Sequence, residues 1–129
     1  MTLKILLAGC GAMSKAWLEV AREIDDVALV GFVDLQRAAA EARANEFGES
    51  GALVETDIER ALNVAQPDIV FDCTIPEAHY SVTLAALAHG CHVLGEKPLA
   101  DSLDHARQMV TAAESAGKLY AVMQNRRYD

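Results

Sequence analysis

At 129 residues the chain has room for one domain with a full core, and 52% hydrophobic with 23% charged residues is the composition of a globular fold. A net charge of −8 excludes a surface built for phosphate backbones, and the basic pair Arg126-Arg127 is too small to reverse that. Cys10, Cys73 and Cys91 suit neither a disulfide framework nor a zinc site, which points to a reducing cytoplasm, and no apolar stretch approaches the roughly 20 residues of a membrane span.

Leu3 to Ala8 is a near-continuous apolar run ending in glycines, the pattern of a strand buried on both faces. Leu7-Ala8-Gly9-Cys10 resembles a lipoprotein cleavage box, but the apolar run ahead of it falls short of the roughly 7–15 residues of a secretory segment. Ala12 to Ile24 carries Ala16, Trp17, Val20, Ala21 and Ile24 at helical spacings. Val27 to Val33 is a second strand, and Gln36 to Phe47 a second helix stopped by Gly48, a residue suited to a left-handed cap. Leu53-Val54 is a weak third strand, and Thr56 or Asp57 can cap a short helix from Ile58 to Val64.

Ile69 to Thr74 is a fourth strand, and Pro76 suits the first turn of a helix running to about His89, where Gly90 ends it. His92 to Leu94 is a short fifth strand. Asp101 or Ser102 caps a helix through Ala116, ended by Gly117, and Leu119 to Met123 is the sixth strand. Strands and helices alternating five times predict an α/β fold: a doubly wound parallel sheet between two helical layers, joined by right-handed crossovers. The order 3-2-1-4-5-6 opens a crevice at the carboxyl ends of strands one and four, while flavodoxin-like order is the alternative on pattern alone.

The glycine turn favours the first order. Gly9-x-Gly11-x-x-Ser14 follows a buried strand and opens a helix, where a dinucleotide fingerprint belongs. Gly9 permits the tight turn. Gly11 lets a pyrophosphate approach the backbone, and the N–H groups of the helix N-terminus, with about half a positive charge, face the anion. Ser14 stands where Gly or Ala is usual, though its side chain is still small.

Asp34 ends the second strand 20 residues beyond Ser14, the usual interval for a carboxylate that accepts from adenosine ribose hydroxyls. It is equally placed to cap the following helix. A 2′-phosphate would be repelled by it, so NAD is favoured, with NADP left open by Arg37 one turn later. Gly95-Glu96-Lys97-Pro98 follows the fifth strand; Pro98 holds Lys97 extended, so that its ammonium either enters the crevice as an acid/base or is solvated on a surface loop.

These motifs, with Thr74-Ile75-Pro76-Glu77-Ala78-His79 and Gly90-Cys91-His92-Val93-Leu94-Gly95-Glu96-Lys97-Pro98-Leu99, resemble the Gfo/Idh/MocA oxidoreductases over essentially the whole chain. The resemblance implies NAD or NADP bound by Gly9, Cys10, Gly11, Ala12, Met13, Asp34 and Arg37. It implies that Cys73, Thr74, Ile75 and Pro76 line the nicotinamide side, that Glu96 helps hold the nicotinamide riboside, and that Lys97 is catalytic. Ile75 and Pro76 stand where the family has Pro and Asn. The implied reaction is hydride transfer with a sugar- or polyol-type CH–OH substrate. Residues 1–123 would form the cofactor domain and 124–129 the start of a linker to a substrate domain that also carries most of a homo-oligomer interface; without it the chain is expected to fold, to self-associate and to catalyse nothing.

His79 either helps orient the cofactor or Lys97 or is structural. The side chains of Met13 and Trp17, at i and i+4, are expected to pack rather than to touch cofactor, which leaves Met13 its backbone N–H for the pyrophosphate. His89, Cys91 and His92 straddle a helix-to-strand turn and are not expected to converge on a metal. A stand-alone NAD(P)-binding or redox-sensing module is the competing reading, whereas a methyltransferase has no use for the Glu96-Lys97-Pro98 motif.

Overall fold

The computed structural model describes residues 1–124; the linker expected at 124–129, apart from Gln124, and the Arg126-Arg127 pair lie outside that range. The elements are β1 (Leu3–Ala8), α1 (Ala12–Arg22), β2 (Val27–Val33), α2 (Arg37–Phe47), β3 (Leu53–Glu55), α3 (Ile58–Ala65), β4 (Ile69–Asp72), α4 (Pro76–Ala88), β5 (His92–Gly95), α5 (Leu103–Ala116) and β6 (Tyr120–Val122). They form one sheet in the order β3-β2-β1-β4-β5-β6, every pairing parallel.

β1 explains why the sheet forms around it. Its last four residues are all buried, and the strand's period of two sends them to opposite faces. Leu6 and Ala8 join Val70 and Val93 with Ala61, Leu62, Val82, Ala86 and Ala113, the inner faces of α3, α4 and α5. Ile5 and Leu7 join Leu29 and Phe32 with Leu18, Ala21 and Ala40 from α1 and α2. Small alanines on the helices let them lie close to the bulky β-residues of the sheet.

Helix ends follow the side chains that serve them. Asp57 accepts from the Arg60 N–H at 3.0 Å to start α3, and Ser102 accepts from the His105 N–H at 3.1 Å to start α5. Gly117 ends α5 as expected, in the left-handed region at φ 67°.

Two local expectations are corrected. Gly48 ends α2 in extended backbone (φ −74°), not left-handed; a Cβ there would lie 2.7 Å from the Ala44 carbonyl oxygen and 2.9 Å from the Phe32 ring, so the glycine serves space rather than φ. In α1 the buried row is Ser14, Leu18 and Ala21, while Val20 and Ile24 are 65% and 50% exposed. Residues two apart on a helix are separated by about 200° of rotation, so seating Leu18 against the sheet turns Val20 outward.

Candidate functional site

Because all six strands are parallel, the segments of the dinucleotide reading emerge together at the carboxyl ends of the strands. The turn 9–14 follows β1, Asp34 follows β2, residues 73–76 follow β4, and Glu96-Lys97 follow β5. β1 lies between β2 and β4, so the connections from β1 and from β4 leave in opposite directions and open a crevice between them.

Gly9 has φ +87°, and a Cβ on it would lie 2.5 Å from the Cys73 carbonyl carbon and oxygen. The residue therefore lets the β1 turn lie directly on the end of β4. Gly11 differs: a Cβ there meets nothing within 4 Å, so the space beside it is open. No side chain caps α1 and its first turn carries no acidic residue, so the N–H groups of that turn are not taken up by a carboxylate.

The Gly11 carbonyl is turned away from this opening by three donors. It accepts from Ser14 N–H at 3.2 Å, Ser14 Oγ at 2.6 Å and an Arg43 guanidinium nitrogen at 3.2 Å, while Arg43 Nε also donates to Ser14 Oγ at 3.2 Å. Ser14 in the third fingerprint position thus has a partner in α2. Arg43 was not singled out in the sequence, where nothing in Arg37–Phe47 separates it from Arg37.

Asp34 meets only backbone N–H groups among the described residues, and α2 starts at its N-cap Gln36 without a side-chain cap. One carboxylate oxygen accepts from Gln36 N–H at 2.8 Å, closing a turn just ahead of α2, and the other accepts from Cys10 N–H at 2.8 Å, holding the glycine turn. Arg37 is exposed and paired with Glu41, Nε to Oε1 3.2 Å, along its own helix. The Cys10 thiol is buried and pushed up to about 12, first by burial and then by the Asp34 charge; burial likewise raises Cys73 and Cys91. These thiols stay neutral, so Cys10 offers the site its backbone rather than a nucleophile.

At the other side of the crevice, Asp72 ends β4 with 1% exposure. Its carboxylate accepts from Thr74 N–H at 3.1 Å, from the Thr74 hydroxyl, from Thr83 Oγ1 at 3.4 Å, and faces His79 Nδ1 at 2.9 Å. His79 is itself buried, and so reaches the crevice through Asp72 and Thr74. Ile75 is 66% exposed at the N-terminus of α4, beside Pro76 in its first turn.

Glu96 donates its N–H to the Asp72 carbonyl at 2.8 Å, and its carboxylate accepts from Trp17 Nε1 at 2.7 Å. Trp17 also packs edge-on against Phe71, with ring centroids 5.1 Å apart. It therefore packs as expected and in addition ties α1 to the Glu96 carboxylate. Met13, expected to pack beside it, is 52% exposed on the first turn of α1. Lys97 is exposed just beyond β5, ahead of a cis bond to Pro98, and its ammonium makes no ion pair among the described residues.

His89, Cys91 and His92 part company. His89 turns to Asn63 and the Ala85 carbonyl, Cys91 donates to the Pro67 carbonyl, and His92 Nδ1 accepts from Leu119 N–H. Among the described residues no three His, Cys, Asp or Glu side chains gather around one point, and no helix is long and apolar enough to cross a membrane.

A glycine turn that opens an uncapped helix at the switch point of a parallel sheet defines a dinucleotide-binding domain. Known proteins agree. D-glucoside 3-dehydrogenase of Escherichia coli is 34% identical over 120 residues, covering 92% of this chain and 34% of that protein. Inositol 2-dehydrogenase of Paracoccus denitrificans is 34% identical over 134 residues, covering 100% and 39%. The WlbA dehydrogenase from Bordetella pertussis, solved in complex with NADH and UDP-GlcNAcA, matches with a TM-score of 0.88 at 29% identity, covering 98% of this chain and 39% of that one. The chain belongs to the Gfo/Idh/MocA oxidoreductase family, NAD-binding Rossmann fold, whose model matches residues 3–124. It spans between a third and two fifths of the length of these relatives.

Proposed function

We propose that the chain is the cofactor-binding part of a dehydrogenase acting on the CH–OH group of a sugar- or polyol-type substrate, with NAD as the preferred dinucleotide. The observation that carries this reading is the convergence of the 9–14 turn, Asp34, residues 73–76 and Glu96-Lys97 on one sheet edge. The open space at Gly11 fits a pyrophosphate, which the first-turn N–H groups of α1, including those of Ala12 and Met13, would hold. Each Asp34 oxygen already accepts one N–H and keeps a second lone pair for a ribose hydroxyl.

When bound, the nicotinamide supplies the hydride acceptor. The chain's own residues do the rest. Residues 73–76 and Glu96 position the ring end, and Lys97 hydrogen-bonds the substrate hydroxyl and takes up its proton. The remaining wall of such a site would come from a second domain following residue 124. That domain would also cover the β6 edge, where Leu119 and Met123 are 75% and 44% exposed, and supply a homo-oligomer interface. The 129-residue chain alone then binds cofactor without turnover, because hydride transfer needs a substrate held over the ring.

Lys97→Ala in a form carrying the substrate domain tests the assignment. Sugar-dependent NADH production should fall by at least about a thousandfold, of the order expected for loss of a general acid/base, with NAD binding retained. Normal turnover in that variant would remove Lys97 from the chemistry.

A further inference from the structure

Asp72 is a buried carboxyl group whose partners among the described residues include no Lys or Arg. Charges are seldom placed inside a sheet for stability alone, since an apolar residue of similar volume is usually as good. Its partners are therefore informative. Thr74 N–H and the Thr74 hydroxyl belong to the segment that follows β4, His79 and Thr83 belong to α4, and the Asp72 main-chain carbonyl takes the Glu96 N–H at 2.8 Å. In register, Asp72 lies opposite Gly95, the residue before Glu96-Lys97. On β6, next to β5, the Tyr120 hydroxyl donates to the Leu99 carbonyl at 3.4 Å. One residue thus joins the two loops that flank the ring end of the crevice.

The second observation is His79 Nε2, a buried side-chain nitrogen without a hydrogen-bond partner among the described residues. A buried polar atom left unpaired is destabilising, and a leucine would fill the space more favourably. The ring is retained for its other nitrogen. With Nδ1 directed at the Asp72 carboxylate, His79 supplies the donor that keeps Asp72 saturated and Thr74 turned toward it.

We propose that Asp72, saturated by His79 and Thr74, is a positioning residue that sets the loop 73–76 and the Glu96-Lys97 strand end at the spacing needed by a nicotinamide ring. The inference rests on the dinucleotide reading above and concerns only the ring end of that site. Asp72 touches no part of the ligand; it acts through Thr74 and through the backbone of Glu96.

The test uses the chain itself with two probes, ADP-ribose, which lacks the nicotinamide, and NADH, whose emission reports the surroundings of the reduced ring. The unaltered chain should bind both, with NADH emission shifted on binding. In Asp72→Asn and in the isosteric Thr74→Val, ADP-ribose affinity should stay within about twofold. NADH affinity should weaken roughly tenfold, the worth of one hydrogen bond to a charged group, and the emission shift should be lost. Thr74→Ser, which keeps the hydroxyl, should restore the shift. If Asp72→Asn does not fold, the Thr74→Val and Thr74→Ser pair decides. Wild-type NADH emission and affinity in the Thr74→Val or Asp72→Asn chain would overturn the proposal, as would an equal loss of ADP-ribose and NADH binding. Failure of the unaltered chain to bind ADP-ribose would overturn the dinucleotide reading, and this inference with it.

Discussion

Gly9, with φ +87° and its missing Cβ facing the Cys73 carbonyl at 2.5 Å, carries two separate steric demands, and both concern the protein's own backbone. Gly9→Ala is accordingly expected to lose roughly 2–4 kcal/mol of stability, combining left-handed strain with overpacking against a strand end. Urea unfolding measures it, and a loss below about 0.5 kcal/mol, the level of an ordinary surface change, would contradict the tight seating of the turn on β4. Asp34 poses a different question, because its carboxylate is engaged by Cys10 and Gln36 before any cofactor arrives. Serine can replace one of those contacts but not the charge. Asp34→Ser with Arg37 retained should shift preference from NAD toward NADP by about tenfold, since like charges at about 4 Å repel by ~1 to ~4 kcal/mol and 1.4 kcal/mol is tenfold. Competitive titration of both cofactors reads that ratio. If it stays put, Asp34 only holds the turn.

Among the elements, α3 has an N-terminus whose stability should follow pH. Arg60 donates to Glu55 at 3.0 Å, and the Thr56 and Asp57 N–H groups donate to the same oxygen, which together hold the Glu55 carboxyl at about 2 against an ordinary 4.5. A folded value below the unfolded one means the contribution is complete above about pH 4.5 and is lost as pH falls toward 2. The gap in unfolding midpoint between the wild type and Glu55→Gln should therefore be constant from pH 7 to about 4.5 and close by about 2. A gap independent of pH would contradict the ion pair.

The elements also show what was legible in advance. Alternating apolar runs and alanine-rich stretches reveal all six strands and five helices, because a buried parallel strand and an amphipathic helix leave different periodicities. Gly117 reads correctly as the end of α5, whereas Gly48 does not serve as the left-handed cap it suggests, since its reason is the Phe32 ring and the Ala44 carbonyl, which only folding brings close. The same limit applies in the crevice. Gly9, Gly11, Asp34 and Lys97 announce themselves through motif and interval. Asp72 looks like the polar end of a strand, Arg43 like any helix arginine and Trp17 like packing, and their partners lie 2 to 11, 29 to 32 and 79 residues away.

At the scale of the whole molecule, a parallel sheet gathers its strand ends on one edge, and the fold thereby brings together groups that are distant in the chain. In the proposed reading the glycine turn and Asp34 would make the adenosine-pyrophosphate half, while Thr74, Glu96 and Lys97, set by Asp72, would make the ring half. The first half is self-contained, which is why cofactor binding should survive in a chain that spans about a third of its relatives' length. Calorimetric titration of NAD into the wild type and Gly11→Val tests this most directly, because a side chain at Gly11 enters open space and leaves the packed core untouched. The account predicts saturable binding in the micromolar range or weaker for the wild type, and an unchanged melting temperature with no binding heat for Gly11→Val. Equal heats from the two proteins would contradict it.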